Sequence, residues 1–156
     1  MRNINLSYQH LNRIGTDRGR MLSDNTGIPE GELELLDKQP LDGDIVHVLR
    51  DKGLGQRLFR LYMNGKILVS WALWMWKPCY TLVNIWTALS FRKCGYGTRL
   101  LRYSEQRAKE EGSRKTDVYD INLTDPAARN FFVKNGYILK PRKDDPQIGD
   151  GTKTLA

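Results

Sequence analysis

The first 48 residues show no sustained hydrophobic period. Residues 7–13 predict a short helix. A second helix is predicted to open at residues 28–30, because Pro29 is favoured in the first turn of a helix and acidic residues follow it. Its buried side would consist of Leu33, Leu35 and Leu36. We therefore expect residues 1–48 to form a helical segment beside the main body of the protein.

The pattern becomes strand-like from residue 45. β-branched and alternating apolar positions predict four strands, which cover residues 45–49, 57–63, 66–76 and 80–89. Asn64-Gly65 lies between the second and third of these runs and predicts a tight hairpin turn. The fourth run is apolar on both faces, which indicates a central strand.

A helical period replaces the strand pattern in the second half of the chain. Residues 98–111 predict a helix, with an inner stripe formed by Leu100, Leu101, Ser104 and Ala108. A strand is predicted at residues 117–122, a helix from the cap Asp125 to Lys134 with Pro126 at its first position, and a strand at residues 137–139. This order predicts an α/β fold with a mixed, mostly antiparallel, twisted sheet and helices on both of its faces.

Length and composition suit one soluble domain of ordinary globular type. We assign the domain to residues 1–140 of the 156, and predict that the polar, glycine-containing residues 141–156 form a loose tail. Cys79 and Cys94 are the only cysteines and have no metal or disulfide pattern around them. The N-terminus lacks an apolar run, so we expect a reduced, cytoplasmic protein without a metal site.

Charge is distributed unevenly along the chain. Residues 1–48 contain 5 basic and 8 acidic residues, a net charge of −3, whereas residues 49–156 contain 20 and 10, a net charge of +10. A basic surface attracts anions, and both a phosphate-bearing cofactor and nucleic acid (DNA or tRNA) fit this distribution. A basic surface that serves only solubility is the plainer alternative.

A glycine-rich turn between the fourth strand and the following helix carries the clearest chemical signal, and its residues are Arg92, Lys93, Cys94, Gly95, Tyr96 and Gly97. Backbone N–H groups at a helix N-terminus converge on an anion, and glycine lets the backbone approach it. The turn lacks the Gly-Lys-Ser/Thr of a P-loop, since Thr98 follows Gly97 directly. A dinucleotide loop would carry its third glycine at Leu100.

The turn resembles the acyl-CoA loop of the GNAT acetyltransferases, whose pattern is Arg/Gln-x-x-Gly-x-Gly/Ala. The resemblance extends over residues 57–140, because the element order is similar and residues 128–137 are similar to the family's Ala…Tyr-x-x-x-Gly-Phe segment. It implies a GNAT-like acyl-CoA fold that uses acetyl-CoA or a close CoA thioester. It also implies that the thioester lies beside a splay between two central strands.

The resemblance implies the cofactor site residue by residue. The amides of Cys94 to Thr98 would hold the pyrophosphate, and the strand end at Thr87 and Ala88 would pair with the pantetheine arm. The full set of cofactor-binding candidates is Thr87, Ala88, Leu89, Arg92, Lys93, Cys94, Gly95, Tyr96, Gly97, Thr98, Asn130 and Phe132.

The chain departs from the family pattern at the proton-transfer positions. Phe132 stands where many members have a tyrosine that protonates the leaving thiolate, and the strand at residues 80–89 has no acid. The catalytic candidates are therefore Asp120, Asn84 and Tyr137, with Tyr119 an alternative to Tyr137. Asp120 would accept the amine proton; the competing interpretation is that it pairs with a nearby arginine.

Three functions remain open on the sequence. The first is N-acyl transfer to a small amine or a protein amine. The second is transfer to a nucleic acid, for which the tryptophans at positions 71, 74, 76 and 86 would serve as a base-stacking platform instead of as core. The third is a binding module that has kept the CoA loop and lost the chemistry.

Overall fold

The computed structural model describes residues 26–156, which form one eight-stranded sheet with two α-helices. The strands are β1 (Leu33–Leu41), β2 (Asp44–Asp51), β3 (Arg57–Met63), β4 (Ile67–Met75), β5 (Thr81–Thr87), β6 (Lys115–Asn122), β7 (Ile138–Pro141) and β8 (Ile148–Thr154). The helices are α1 (Tyr96–Glu110) and α2 (Pro126–Lys134). Single 3-10 turns precede β1 and α1, at Glu30–Glu32 and Leu89–Phe91.

The sheet is mixed. Its strands follow the order β1-β2-β3-β4-β5-β6-β8-β7, and neighbours are antiparallel except for β5 and β6, which are parallel. Parallel neighbours need a crossover connection, and α1 supplies it. The prediction of a mixed, mostly antiparallel α/β sheet is therefore confirmed.

Both described helices pack on the same face of the sheet. Leu100 of α1 and Phe132 of α2 are fully buried and share one core cluster with Ile85 of β5. The opposite face carries a second cluster, which includes Trp71 and Trp86. Of the two faces predicted to carry helices, only one does so within residues 26–156.

Local chemistry fixes several element boundaries as predicted. The turn between β3 and β4 places Asn64 and Gly65 at φ 54° and 73°, the positive values that a two-residue hairpin requires. Asp125 caps α2, since its Oδ1 accepts a hydrogen bond of 3.0 Å from the N–H of Ala127. These boundaries bring β4 beside β5 and start α2 directly after β6.

The helix predicted after Pro29 is wrong, because that stretch forms the edge strand β1. Leu35 and Leu36 mimic a helical stripe, but the register with β2 shifts between Leu35 and Asp37, so a bulge accounts for the consecutive leucines. Both leucines are largely exposed. The part of the predicted helical segment 1–48 that is described is therefore strand from Leu33 onward, and the helix predicted over residues 7–13 lies outside the described residues.

The loose tail predicted for residues 141–156 is also wrong, because β8 pairs with β6 on one side and β7 on the other. Its glycines are the reason it fits. A Cβ on Gly151 would lie 2.7 Å from a methyl carbon of Leu139, and one on Gly149 would lie 2.7 Å from a methyl carbon of Leu123. The glycines of residues 141–156, which we interpreted as a sign of a loose tail, instead allow close packing around a strand.

Candidate functional site

β5 and β6 separate along their length. Their register partners are Thr81 with Asp117 and Leu82 with Val118, both at the beginnings of the strands. Beyond them β5 stays paired with β4 as far as Thr87, and β6 stays paired with β8. The sheet therefore opens in a V between the C-terminal halves of β5 and β6. This opening, the splay, is what the family resemblance implied.

A bulge in β6 turns the strand away from β5. The register with β8 shifts between Val118 and Ile121, and Asp120 adopts a left-handed φ of 61°. Arg142 holds the bulge in place: its Nη2 lies 2.6 Å from Oδ1 of Asp120 and 2.8 Å from Oδ1 of Asp150. The N–H of Asp120 also donates to Oδ1 of Asp150, at 3.1 Å. We call Asp120, Arg142 and Asp150 the clasp.

Electrostatics within the clasp match its geometry. The hydrogen bond from Arg142 holds the pKa of Asp150 below its ordinary value, and the same bond raises the pKa of Arg142. Both groups are therefore charged at neutral pH. Asp120 does pair with an arginine, which was the competing interpretation of its role.

The glycine-rich turn leads from β5 into α1. Lys93 and Gly95 adopt left-handed φ values of 65° and 87°, and α1 begins at Tyr96 with Gly95 as its N-cap. The first turn of α1 contains no acidic residue and receives no side-chain cap from Gly95. Its N–H groups and the positive end of the helix dipole are thus directed toward the mouth of the splay, an arrangement suited to a phosphate group.

Gly97 lies where the helix N-terminus touches both the sheet and α2. A Cβ at this position would be 3.1 Å from Oγ1 of Thr87 and 3.5 Å from the ring of Phe131. The Thr87 hydroxyl is itself held at 3.0 Å from Oγ of Ser70. The backbone here is not in the left-handed region, so glycine serves close approach at this position and not an unusual φ.

The end of β5 already has partners for its polar backbone groups. The Thr87 carbonyl accepts from Nε of Arg92 at 3.1 Å, and the Ala88 N–H donates to the carbonyl of Val69 at 2.8 Å. Arg92 thereby ties the loop back to the strand edge that faces the splay. Pairing of a pantetheine arm with Thr87 and Ala88 stays a prediction, and at the Thr87 carbonyl the arm would share the oxygen with Arg92.

The other predicted cofactor residues divide into surface and core. Lys93, Cys94, Gly95 and Leu89 are exposed around the loop, and Asn130 is exposed on α2. Phe132 is fully buried and packs against Tyr137 with ring centroids 5.6 Å apart. The structure thus places Phe132 in the core and not on the surface where a cofactor would lie.

Tyr137 lies in the core, away from the open cleft. Its hydroxyl donates to Oε2 of Glu105 at 2.7 Å and lies 2.8 Å from Oγ1 of Thr116. Burial, and after it the charge of Glu105, raise the pKa of Tyr137 far above its ordinary value. Lys153 completes the network, with Nζ 2.7 Å from Oε1 of Glu105. The geometry gives Tyr137 a structural role and does not support proton donation to a thiolate.

Asn84 lies on β5 beside a strand irregularity. The register with β4 shifts between Leu73 and Trp74, which leaves Val83 as an extra residue between Leu82 and Asn84. Oδ1 of Asn84 accepts from the N–H of Ile85 at 2.9 Å. Asn84 therefore covers a backbone amide of the central strand, and its catalytic role stays a prediction.

A cavity of about 410 Å³ lies at the base of the splay. Its lining comes from β4, the β4–β5 connection, β5 and β6, and consists of Met75, Lys77, Pro78, Cys79, Thr81, Leu82, Val83, Tyr119 and Asp120. Sequence reasoning named Tyr119 and Asp120 among these and missed the rest. The parallel pairing of β5 with β6 brings them together, and no local motif records that pairing.

The tryptophans are core. Trp71, Trp74, Trp76 and Trp86 are at most 7% exposed, so a base-stacking platform is excluded in this structure. Trp74 and Trp76 lie in the cluster beneath the helices and Trp71 lies in the other.

Seven basic side chains in residues 49–156 are candidates for nucleic-acid contact, and three of them have acidic partners. Arg60 lies 3.2 Å from Glu30, Arg57 lies 3.7 Å from Glu111, and Arg142 belongs to the clasp. The remaining candidates are exposed, and they are Arg129, Lys134, Lys140 and Lys143.

Within the described part of the chain, no helix has the length and apolar character needed to cross a membrane, and no group of three or more His, Cys, Asp or Glu residues is arranged to hold a metal ion.

A strand pair that opens beside an anion-binding helix N-terminus defines a class of protein that binds a phosphate-bearing cofactor within the sheet. The profile of the Acetyltransferase (GNAT) family matches residues 51–137, more than half of the chain. The chain therefore belongs to this family. No curated protein sequence matches it.

Solved structures of the family share the fold. The chain is similar to the PaiA N-acetyltransferase from Thermoplasma acidophilum in complex with coenzyme A, at 15% identity and a TM-score of 0.56, over 63% of this chain and 60% of that one. It is also similar to the ribosomal-protein-S18-alanine N-acetyltransferase from Escherichia coli, at 18% identity and a TM-score of 0.53, over 64% of this chain and 68% of that one. The match to nourseothricin acetyltransferase covers more of both proteins, 80% of this chain and 88% of that one, at 16% identity and a TM-score of 0.55. At these identities the likeness establishes the fold.

Proposed function

We propose that the protein transfers an acetyl or related acyl group from a CoA thioester to an amine by direct attack. The observation that carries the proposal is the splay between β5 and β6, with the N-terminus of α1 at its mouth. Membership of the acetyltransferase family supports it, as does the coenzyme A complex of the Thermoplasma acidophilum protein.

The loop would hold the pyrophosphate of CoA. The left-handed residues Lys93 and Gly95 shape the turn that leads into the N-terminus of α1, where the amides from Cys94 to Thr98 lie. An anion there gains from the helix dipole and from the charges of Arg92 and Lys93. The thioester arm would then extend into the splay, toward Val83 and Tyr119 at its base.

The reaction needs one bond made and one broken. The amine nitrogen attacks the thioester carbonyl, the C–N bond forms, the C–S bond breaks, and the proton from nitrogen passes to the thiolate or to solvent. A thiol of pKa about 8–9 is an adequate leaving group, so Phe132 in place of a tyrosine does not preclude turnover. We propose that Tyr119, whose phenol lines the cavity, protonates the thiolate, and that Asp120 orients the amine.

Binding and turnover test the proposal separately. We expect calorimetry to give a dissociation constant for acetyl-CoA in the micromolar range, and Gly97→Asp to abolish binding because a carboxylate would face the pyrophosphate. Mass spectrometry of an amine panel incubated with protein and acetyl-CoA should then show acylated product. Binding without any acylated amine would identify the non-catalytic module, and no CoA binding by the wild type would reject the proposal.

A nucleic-acid acceptor is the second candidate. It is favoured by the net charge of +10 in residues 49–156 and by the exposed basic side chains on α2 and around β7, which are Arg129, Lys134, Lys140 and Lys143. If several phosphates are neutralised, binding to DNA or tRNA should weaken steeply between low and physiological salt. No retention on either polymer at low salt would remove this candidate.

A further inference from the structure

Two hydroxyl groups lie side by side where β5 reaches the glycine-rich turn. Ser70 of β4 and Thr87 of β5 are register partners, and their hydroxyl oxygens are 3.0 Å apart. Ser70 is fully buried, whereas Thr87 is partly exposed at the end of its strand. The pairing predicted for a pantetheine arm involves the backbone of Thr87, so both hydroxyls lie outside it.

Each of these hydroxyls has a single hydrogen, and the contacts determine where both hydrogens go. Oγ of Ser70 lies 2.6 Å from the carbonyl oxygen of Trp86. Because a carbonyl oxygen can only accept, the Ser70 hydrogen is donated there. Thr87 is then the donor in its contact with Ser70. The Thr87 oxygen is therefore left with lone pairs alone, and any further hydrogen bond that it makes is one that it accepts.

The Thr87 oxygen lies against the start of α1. A Cβ at Gly97, in the first turn of the helix, would be 3.1 Å from it. Among residues 26–156, Ser70 is the hydrogen-bond partner of this oxygen, and its lone pairs have no donor. An acceptor thus remains unused beside the amides proposed for the pyrophosphate. A ligand group that contacts it must present an N–H or an O–H, because an oxygen that can only accept repels an anion.

The pantetheine arm of CoA carries such donors, as amide N–H groups and a hydroxyl, whereas the pyrophosphate offers only acceptors at neutral pH. Thr87 ends β5, the strand along which the splay opens, so the arm passes it on the way from the loop. We propose that the Thr87 hydroxyl accepts a hydrogen bond from this arm, and that Ser70 is the positioning residue that holds the Thr87 hydrogen away from it. The proposal rests on the CoA binding proposed above and adds two residues to it.

Removing the Thr87 hydroxyl while keeping the shape of the side chain tests the contact. Thr87→Val should weaken CoA binding about threefold to tenfold, which is the contribution of one neutral hydrogen bond, and Thr87→Ser should stay within about twofold of the wild type. The probe without the arm is 3′-phosphoadenosine 5′-diphosphate, and its dissociation constant, measured by calorimetry, should be the same for all three proteins. An equal loss for both ligands, or for both variants, would overturn the proposal.

A double-mutant cycle tests whether Ser70 acts through Thr87. Ser70→Ala should weaken CoA binding about threefold and leave binding of the probe unchanged, because Thr87 loses the acceptor that holds its hydrogen. Adding Ser70→Ala to Thr87→Val should cause no further loss. Ser104→Ala is the matched control, since Ser104 is also fully buried and donates to a backbone carbonyl, that of Leu101 at 2.8 Å. It should bind CoA as the wild type does, and additive losses in the double variant would contradict the positioning role.

The outcomes keep this contact apart from the proposed function. If the wild type binds CoA and Thr87→Val binds it equally well, the contact is overturned and acyl transfer stands. If Thr87→Val also weakens binding of 3′-phosphoadenosine 5′-diphosphate, the hydroxyl acts on the loop or the nucleotide and not on the arm, which overturns the contact as well. If the wild type binds neither ligand, the failure lies with the proposed function, and the contact fails with it.

Discussion

Gly97 stands where α1, β5 and α2 approach one another most closely. In Gly97→Ala the new methyl group would press on the Thr87 hydroxyl, so that side chain or the loop must give by a few tenths of an ångström. We expect the dissociation constant for CoA to rise about tenfold. The free energy of unfolding should fall by only about 1 kcal/mol, because overpacking costs about 1–3 kcal/mol and alanine regains about 1 kcal/mol of helix propensity.

Gly31→Ala provides the control for this substitution. A Cβ at Gly31 would have open space around it, and its backbone is not in the left-handed region. Calorimetry with CoA should therefore give the wild-type affinity. Equal affinities for Gly97→Ala and Gly31→Ala would show that the contact at Thr87 does not set the loop geometry.

Tyr137 and Tyr119, the two tyrosines considered as proton donors, should behave differently. Tyr137→Phe leaves the buried Glu105 and Thr116 without their shared hydroxyl, so we expect a loss of about 1–3 kcal/mol in the free energy of unfolding and unchanged kcat for the folded protein. Tyr119→Phe should leave stability unchanged and lower kcat. Denaturant titration and steady-state rates on the same two variants measure both effects, and a drop in kcat confined to Tyr137→Phe would reverse the assignment.

At the scale of elements, the last strand, β8, joins the edge strand β7 to the rest of the sheet through β6. β8 pairs with both β6 and β7. Deleting residues 142–156 removes β8 and also Arg142 of the clasp, so we expect the chain to lose cooperative unfolding and to aggregate. Deleting Ala156 alone should have no effect, because β8 ends at Thr154. Circular dichroism melts of the two truncations test this, and a folded 1–141 fragment would contradict it.

The elements that sequence predicted well are those with a local signal. Asn64-Gly65, the Asp125 cap and the stripe of Leu100 and Leu101 each follow from the chemistry of a few neighbouring residues, and each is where it was predicted. β3 has the predicted bounds. The glycine-rich turn belongs to the same group, since its residues alone placed it between a central strand and a helix.

The elements that were missed depend on distant parts of the chain. β8 needs its glycines because Leu123 and Leu139 press on it, and those contacts are invisible in the polar sequence of residues 141–156. The bulge in β1 made a strand resemble a helix. The cavity is lined by residues from β4 to β6, which the parallel pairing of β5 with β6 brings together. Cys79 and Val83 therefore stand in no local sequence motif that would mark them as lining residues.

At the scale of the whole molecule, acid should weaken the fold in two separate ranges of pH. Burial, and after it the charges of Lys38 and Arg60, lower the pKa of His47 below 6.5 in the folded chain. The unfolded chain therefore takes up a proton first, and stability falls as the pH drops below about 6.5. Asp150 has its pKa lowered below 3.8, chiefly by the hydrogen bond from Arg142, so the stability it provides above that value is lost as the pH falls through its folded-state pKa.

Single variants separate the two ranges. His47→Gln should flatten the dependence of unfolding free energy on pH just below about 6.5, and Asp150→Asn should flatten it below about 4. Denaturant titrations at a series of pH values provide the measurement. A profile that His47→Gln leaves unchanged just below pH 6.5 would show that another group titrates there.

The separation of loop and cavity along β5 has a kinetic consequence. The thioester would enter the splay from the loop after Thr87, whereas the cavity lies at the Thr81 end of β5. An amine that reached the splay by way of the cavity would leave the path of the thioester open, and both could be bound at once. The protein should therefore form a ternary complex and accept its substrates in either order, without an acylated enzyme between two half-reactions. Initial rates measured at several fixed amine concentrations would then give intersecting double-reciprocal lines, whereas parallel lines would mean that the acyl group first passes to the protein.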